Sequence, residues 1–213
     1  MTAPGWIPVP EESDFPLENL PFGVVEPRSG TPRVVVRIGD HVLDLAAAGI
    51  APELTAQPRL NELMASPRHH DVRRRAAEVL LGPAHPEWTF RVDDVEVLLP
   101  VAVGDFVDFY ASIHHATNLG RILRPEGEPL LPNWRHLPVG YHGRAGTIVA
   151  SGTIITRPSG LVADVRAGGP RLVPTGALDF ELEVGFLVAG EVATRYVRGE
   201  QAAALAAIVP DEG

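Results

Sequence analysis

Cysteine and lysine are both missing from the 213 residues. Without cysteine the chain has no disulfide, no thiolate nucleophile, and no zinc–sulfur or iron–sulfur centre. Without lysine it has neither a Schiff-base amine nor a Walker A phosphate loop. All 18 basic side chains are therefore arginine, a compositional habit of an Ala- and Arg-rich sequence. No apolar run approaches the roughly 20 residues that span a bilayer. The opening Met-Thr-Ala-Pro-Gly-Trp has neither a basic n-region nor an apolar h-region, so no signal peptide is evident. The expectation is a cytoplasmic protein with no membrane partner. Acids outnumber bases 27 to 18, and the net charge of −9 speaks against a nucleic-acid partner. Hydrophobic residues make up 45% and charged residues 21%, a globular composition. Gly and Pro number 21 each and are scattered without period, which favours short strands and turns. The fold class expected is mainly β, of α+β type.

The β-branched runs 22–26 and 33–38 read as strands, and Gly39-Asp40 turns the second into a third at 42–45. A helix is predicted over 67–81, capped by Ser66, with Pro67 at its first position and Gly82-Pro83 at its end. Val72, Ala76, Val79 and Leu80 share its apolar face, while Arg73, Arg74 and Arg75 include its wet side. A triple arginine on a short helix of an acidic protein reads as solvated surface rather than a nucleic-acid patch. A further strand spans 95–103, interrupted by Pro100, and a short helix covers 113–123. The domain boundary is placed there, giving domains 1–100 and 101–213. Nothing in the first carries obvious chemistry.

The chemistry concentrates between Asp108 and Arg144. This stretch holds three acids, among them Asp108, with two tyrosines, four histidines and four arginines in an otherwise loop-like, apolar setting. Asp108 precedes a helix, where a carboxylate either points into a cleft or caps the helix. His115 lies on the first turns of that helix, where a neutral imidazole can act as general base toward water. His114 cannot face the same cleft, because successive helical residues point about 100° apart. Arg124 and Arg144 suit bidentate capture of carboxylates, and Tyr110 and Tyr141 offer hydroxyl donors. Further on, Asp179, Glu181 and Glu183 share one face if the segment is a strand. Such a cluster either holds a hard cation, Mg²⁺ or Ca²⁺, or forms the acidic wet face of a half-exposed strand. A zinc site built from His114, His115, His136 and His142 lacks cysteine partners and a known spacing. No Gly-x-Ser-x-Gly elbow supports a serine hydrolase.

Three motifs carry a resemblance. Asp-Phe-Tyr-Ala-Ser-Ile-His-His-Ala-Thr-Asn-Leu-Gly from Asp108, Leu-Pro-Asn-Trp-Arg-His-Leu-Pro-Val-Gly-Tyr-His-Gly-Arg from Leu131, and Leu-Asp-Phe-Glu-Leu-Glu from Leu178 closely resemble the fumarylacetoacetase family. The opening from Trp6 to Gly23 is similar too, so the likeness covers nearly everything from 6 to about 190. The resemblance implies a small SH3-like β-barrel domain followed by the first part of a β-rich catalytic domain that dimerises. It implies hydrolysis of the carbon–carbon bond of 4-fumarylacetoacetate to fumarate and acetoacetate, the last step of tyrosine catabolism. Carried over by motif, Asp108, Glu181 and Glu183 would be ligands of a divalent cation, Mg²⁺ or Ca²⁺. His115 would activate water, and Tyr110, Arg124 and Tyr141 would contact the β-diketo acid substrate. Family members are about twice this long, and the motifs that complete the metal and oxyanion sites are not recognisable here. The chain is expected to be incomplete alone, partnered by a second copy or by a missing C-terminal half. Alternatives are another β-diketone or oxo-acid hydrolase of the superfamily, or a non-catalytic binding or dimerisation partner.

Overall fold

The computed structural model describes residues 5–28, 30–163, 168–178 and 180–188. The β-branched runs of the first hundred residues form the strands β1 (Phe22–Pro27), β2 (Arg33–Ile38) and β3 (His41–Asp44), joined by β4 (Thr89–Arg91) and β5 (Val95–Leu98). All pairings are antiparallel, in the order β4-β3-β2-β1-β5, and the sheet curls into a half-barrel. Val24 lies opposite Val34 and Val36 opposite Leu43, so these four side chains stack on one face. Val25, Val35 and Val42 occupy the other, packed with Phe90, Val92 and Val95. Both faces are buried, which is why these strands read as continuous apolar runs rather than alternating ones. At the tight turn between β2 and β3, Gly39 adopts φ 51°, a left-handed backbone that glycine enters without penalty. Its N–H donates to the Phe15 carbonyl at 2.8 Å, and its own carbonyl accepts from Arg37 Nε at 3.1 Å.

Three helices follow β3: α1 (Pro52–Thr55), α2 (Asn61–Ala65) and α3 (His69–Leu81). The apolar face expected of the last is confirmed, with Val72, Ala76 and Leu80 buried. Its start is not. Ser66 Oγ accepts from the N–H of Arg68, two residues on, so the serine closes a turn before the helix instead of capping it. Arg74 pairs along the helix with Asp71 and Glu78, and the Arg73 guanidinium lies 5.0 Å from the Phe22 ring. At the far end of α3, Trp6 donates its backbone N–H to the Leu80 carbonyl (3.3 Å) and its indole N–H to the Val79 carbonyl (3.2 Å). Those carbonyls belong to the last turn, where intrahelical donors run out, and that of Val79 also accepts from the Gly82 N–H at 3.1 Å.

Two polar groups are buried in this part of the fold. Asp44 Oδ1 accepts from the Ala47 N–H at 3.0 Å, and Oδ2 lies 3.7 Å from Arg33 Nε. The Thr55 hydroxyl, on a residue 1% exposed, reaches the Ile50 and Ala51 carbonyls at 2.8 and 3.1 Å. Thr55→Val keeps the shape and deletes both contacts. It should lower unfolding stability by about 1–2 kcal/mol in urea titration, and an unchanged midpoint would show the hydroxyl to be dispensable.

The chain divides into two compact units. One takes residues up to Pro100 and returns at Ser151; the other is Val101–Ala150. The second contains β6 (Val107–Phe109) paired with β7 (Gly140–His142), and the helix α4 (Ile113–Leu123) at the bounds its sequence indicates. The strand expected over 95–103 ends at Leu98, short of Pro100, which has no N–H to give a ladder. After Ser151 the described residues include one hairpin, β8 (Ser159–Val162) with β9 (Arg171–Pro174). The strand expected around Asp179–Glu183 is not formed: residues 180–188 join no ladder among the described residues, and Asp179 lies outside them. No helix among the described residues is long and apolar enough to cross a membrane.

Candidate active site

The second unit places five of the seven candidate residues. Asp108 sits at the centre of β6 directly opposite Tyr141 on β7, and the Tyr141 hydroxyl donates to Asp108 Oδ2 at 2.8 Å. Cross-strand pairing thus creates this contact between residues 33 positions apart. The Arg144 guanidinium lies 5.7 Å from the Tyr141 ring. A side chain on Gly140 would strike the Asp108 carbonyl at 2.5 Å, so a glycine is what lets β7 approach β6 here.

Tyr110 is tied down on every side. Its N–H donates to the Val139 carbonyl (2.8 Å), its carbonyl accepts from the Trp134 indole (2.9 Å), and its hydroxyl donates to the Ala116 carbonyl (3.2 Å). The His115 ring meets the Tyr110 ring edge-on, 5.5 Å between centroids at 79°. Ser112 caps α4 by accepting from the His115 N–H at 3.3 Å, which fixes the first turn that carries this histidine. The imidazole itself is exposed to solvent, as is that of His114.

Arg124 does something the sequence did not suggest. Its Nη2 donates to the Pro129 carbonyl at 2.6 Å and its Nε to the Glu128 carbonyl at 3.3 Å, clamping the loop after α4. The same loop lies against buried Gly120, where an added Cβ would sit 1.9 Å from the Pro129 oxygen. Trp134, Ser112 and Gly120 thus join the site as its supports. Ser112 was legible as an N-cap ahead of a helix; the other two answer to contacts across irregular chain, which carry no periodic signal.

Glu181 and Glu183 lie on the exposed stretch after β9, in the other unit. Among the described residues no three His, Asp or Glu side chains gather closely enough to hold a metal ion. Two concavities mark the first unit. One is bounded by Glu26, Arg28 and Glu96, the other, about 310 Å³, by Arg75, Glu78, His85 and Trp88. Neither contains a candidate residue.

The sequence profile described as Fumarylacetoacetase N-terminal matches residues 18–100. A fumarylacetoacetase from Caenorhabditis elegans is 41% identical over 89% of this chain and 51% of its own length. Those of Bos taurus and Homo sapiens are 40% and 39% identical over 86% of the chain, covering 49% of their length. Over most of its length the chain is similar to about half of a fumarylacetoacetase. The aligned share includes the unit that holds Asp108, Tyr110, His115, Arg124 and Tyr141, since 86% of 213 residues cannot be accommodated without it. The chain spans about half the length of the curated relatives it matches.

Proposed function

We propose that this chain carries the water-activating half of a fumarylacetoacetase-type hydrolase, cleaving the carbon–carbon bond of the β-diketo acid 4-fumarylacetoacetate. The observation behind this reading is the second unit of the fold. It sets a tyrosine-bonded carboxylate, an exposed histidine on a capped helix turn and an anchored tyrosine into one small framework, in a chain about 40% identical to fumarylacetoacetases. In the reaction the His115 imidazole takes a proton from water, and the hydroxide adds to the ketone carbonyl of the fumaryl group itself, whose bond to the methylene between the two ketones is the one to be cleaved. The bond to the neighbouring carbon then breaks. Its electron pair leaves as the enolate of acetoacetate, which takes up a proton, and fumarate is the second product. Tyr110, Arg124 and Tyr141 orient the substrate. Two of Arg124's nitrogens already hold the loop carbonyls, so its part is as much to shape the site wall as to meet a carboxylate.

The donor set for a cation is Asp108, Glu181 and Glu183, all oxygen and without sulfur, which suits Mg²⁺ or Ca²⁺ rather than zinc. Tyr141 engages one Asp108 oxygen, so the other would be the one available to hold such an ion. When bound, such an ion polarises the diketone and offsets developing negative charge. The same reading makes residues 1–100 the family's SH3-like barrel, the protein cytoplasmic, and the completed enzyme a dimer.

The test is a covalent fusion. Residues 1–188 joined to the half of the Caenorhabditis elegans enzyme that they do not match should hydrolyse fumarylacetoacetate in the presence of Mg²⁺ or Ca²⁺, with loss of activity under chelation. A folded fusion that leaves the substrate untouched, or works equally well with all divalent ions removed, would refute the reading.

A further inference from the structure

Residues 109–114 carry the chain from Asp108 on β6 to His115 on α4, so their path sets where the proposed base stands relative to that carboxylate. Tyr110 is the pivot of this path. Its N–H extends the β6–β7 ladder by one bond, to Val139, and its hydroxyl reaches forward to the Ala116 carbonyl of α4. Its ring abuts the His115 ring edge-on. The remaining polar group of Tyr110 is its carbonyl, just before the short connection to the Ser112 cap, and the Trp134 indole N–H donates to it at 2.9 Å.

Trp134 is itself held. It lies on the single turn Pro132–Arg135, which opens on a proline whose fixed φ suits a first helical position. The Trp134 N–H donates to the Leu131 carbonyl, and the N–H groups of His136 and Leu137 close the turn on the Asn133 carbonyl. Earlier in the same loop, Arg124 at the end of α4 binds the Glu128 and Pro129 carbonyls. The contacts therefore form a circuit that leaves α4 through Arg124 and crosses to Tyr110 through Trp134. It returns to the first turn of α4 at Ala116 and His115.

We propose that Trp134 is a positioning residue for His115, acting through Tyr110. The role of His115 is that of the fumarylacetoacetase-type reading above. The Tyr110 carbonyl could exchange the indole for water, so the fold depends little on this bond. The direction of the chain into α4 depends on it more. A displacement of about 1 Å at a reacting group can cost on the order of 10²-fold in rate.

Trp134→Phe keeps a ring in place and removes the N–H. In the 213-residue chain the imidazole NMR signals of His115 should move toward those of an unrestrained histidine. The Tyr110 amide should exchange roughly tenfold faster, while the His114 signals and the amides of β2 stay as they were. Arg124→Ala opens the same circuit further back and should move the His115 signals in the same sense. In the covalent fusion, Trp134→Phe should lower kcat by roughly 10–10²-fold with a smaller change in KM. It should cost almost nothing further where His115 is already alanine. Unmoved His115 signals in the folded Trp134→Phe chain overturn the proposal, and so does an equal kinetic loss with and without the imidazole. If Trp134→Phe unfolds the second unit, the Arg124→Ala spectra decide by the same criterion. An inactive parent fusion removes the hydrolase reading, and the spectra then decide the placement alone.

Discussion

His115→Ala in the covalent fusion should lower kcat by about 10²–10⁴-fold, the range general base catalysis supplies. KM should change far less, because the proposed contacts to substrate come from Tyr110, Arg124 and Tyr141. The fold should survive. The His115 side chain is exposed, and the Ser112 cap bonds its backbone N–H, which alanine retains. Alanine is also the better helix former. His114→Ala is the control: it lies one residue away on the same helix, about 100° around the axis, and should leave the rate near that of the parent. Equal losses at both positions would mean that the helix, not the imidazole, is being disturbed. No loss at His115 would move the base elsewhere.

Gly120→Ala should cost about 3 kcal/mol or more, the upper range for overpacking, even though alanine is favoured in helices. The added methyl would lie 1.9 Å from the Pro129 oxygen and 2.7 Å from its carbonyl carbon. Backbone cannot step aside as a flexible side chain can. The loop would have to lift away, taking with it the carbonyls that Arg124 holds. Hydrogen exchange localises the effect: amides of 113–123 should open much faster, while those of β2 in the first unit keep their protection. Arg124→Ala should weaken the same region to a smaller degree. A Gly120→Ala protein with native exchange rates in α4 would show that the loop does not rest on the helix in solution.

The elements that the sequence announced were those whose signal is local. Val34, Val35 and Val36 are β-branched neighbours, Gly39 punctuates the turn, and Val72, Ala76 and Leu80 recur at helical spacing. Each of these is decided within a window of about ten residues. Ser66 failed as a cap because its hydroxyl closes a local turn with the Arg68 N–H and the helix begins only at His69. The candidate site was legible as a set of residue types but not as an arrangement. The Tyr141 bond to Asp108 follows from strand register across 33 positions, and the Trp134 bond to the Tyr110 carbonyl from irregular chain. Neither leaves a periodic trace. Arg124 was legible as a guanidinium suited to carboxylates, whereas its hold on the Glu128 and Pro129 carbonyls has no signal in the sequence. The run from Leu178 onward is the opposite case: its strand pattern is plain in the sequence, yet residues 180–188 join no ladder among the described residues.

The bond from the Trp6 indole to the Val79 carbonyl has a bearing on how this chain comes into being. It joins positions 73 apart, and β1 likewise waits for β5 to pair Val25 with Val97. Both closures need polypeptide that is made last within the first hundred residues. During synthesis, then, β1, β2 and β3 emerge early with both edges open, awaiting β4 and β5. Contacts of such long separation are slow to close, since loop entropy is spent before they form. The sheet built by the first hundred residues therefore closes late, once residues 89–98 have cleared the ribosome and both of its outer strands have found their places.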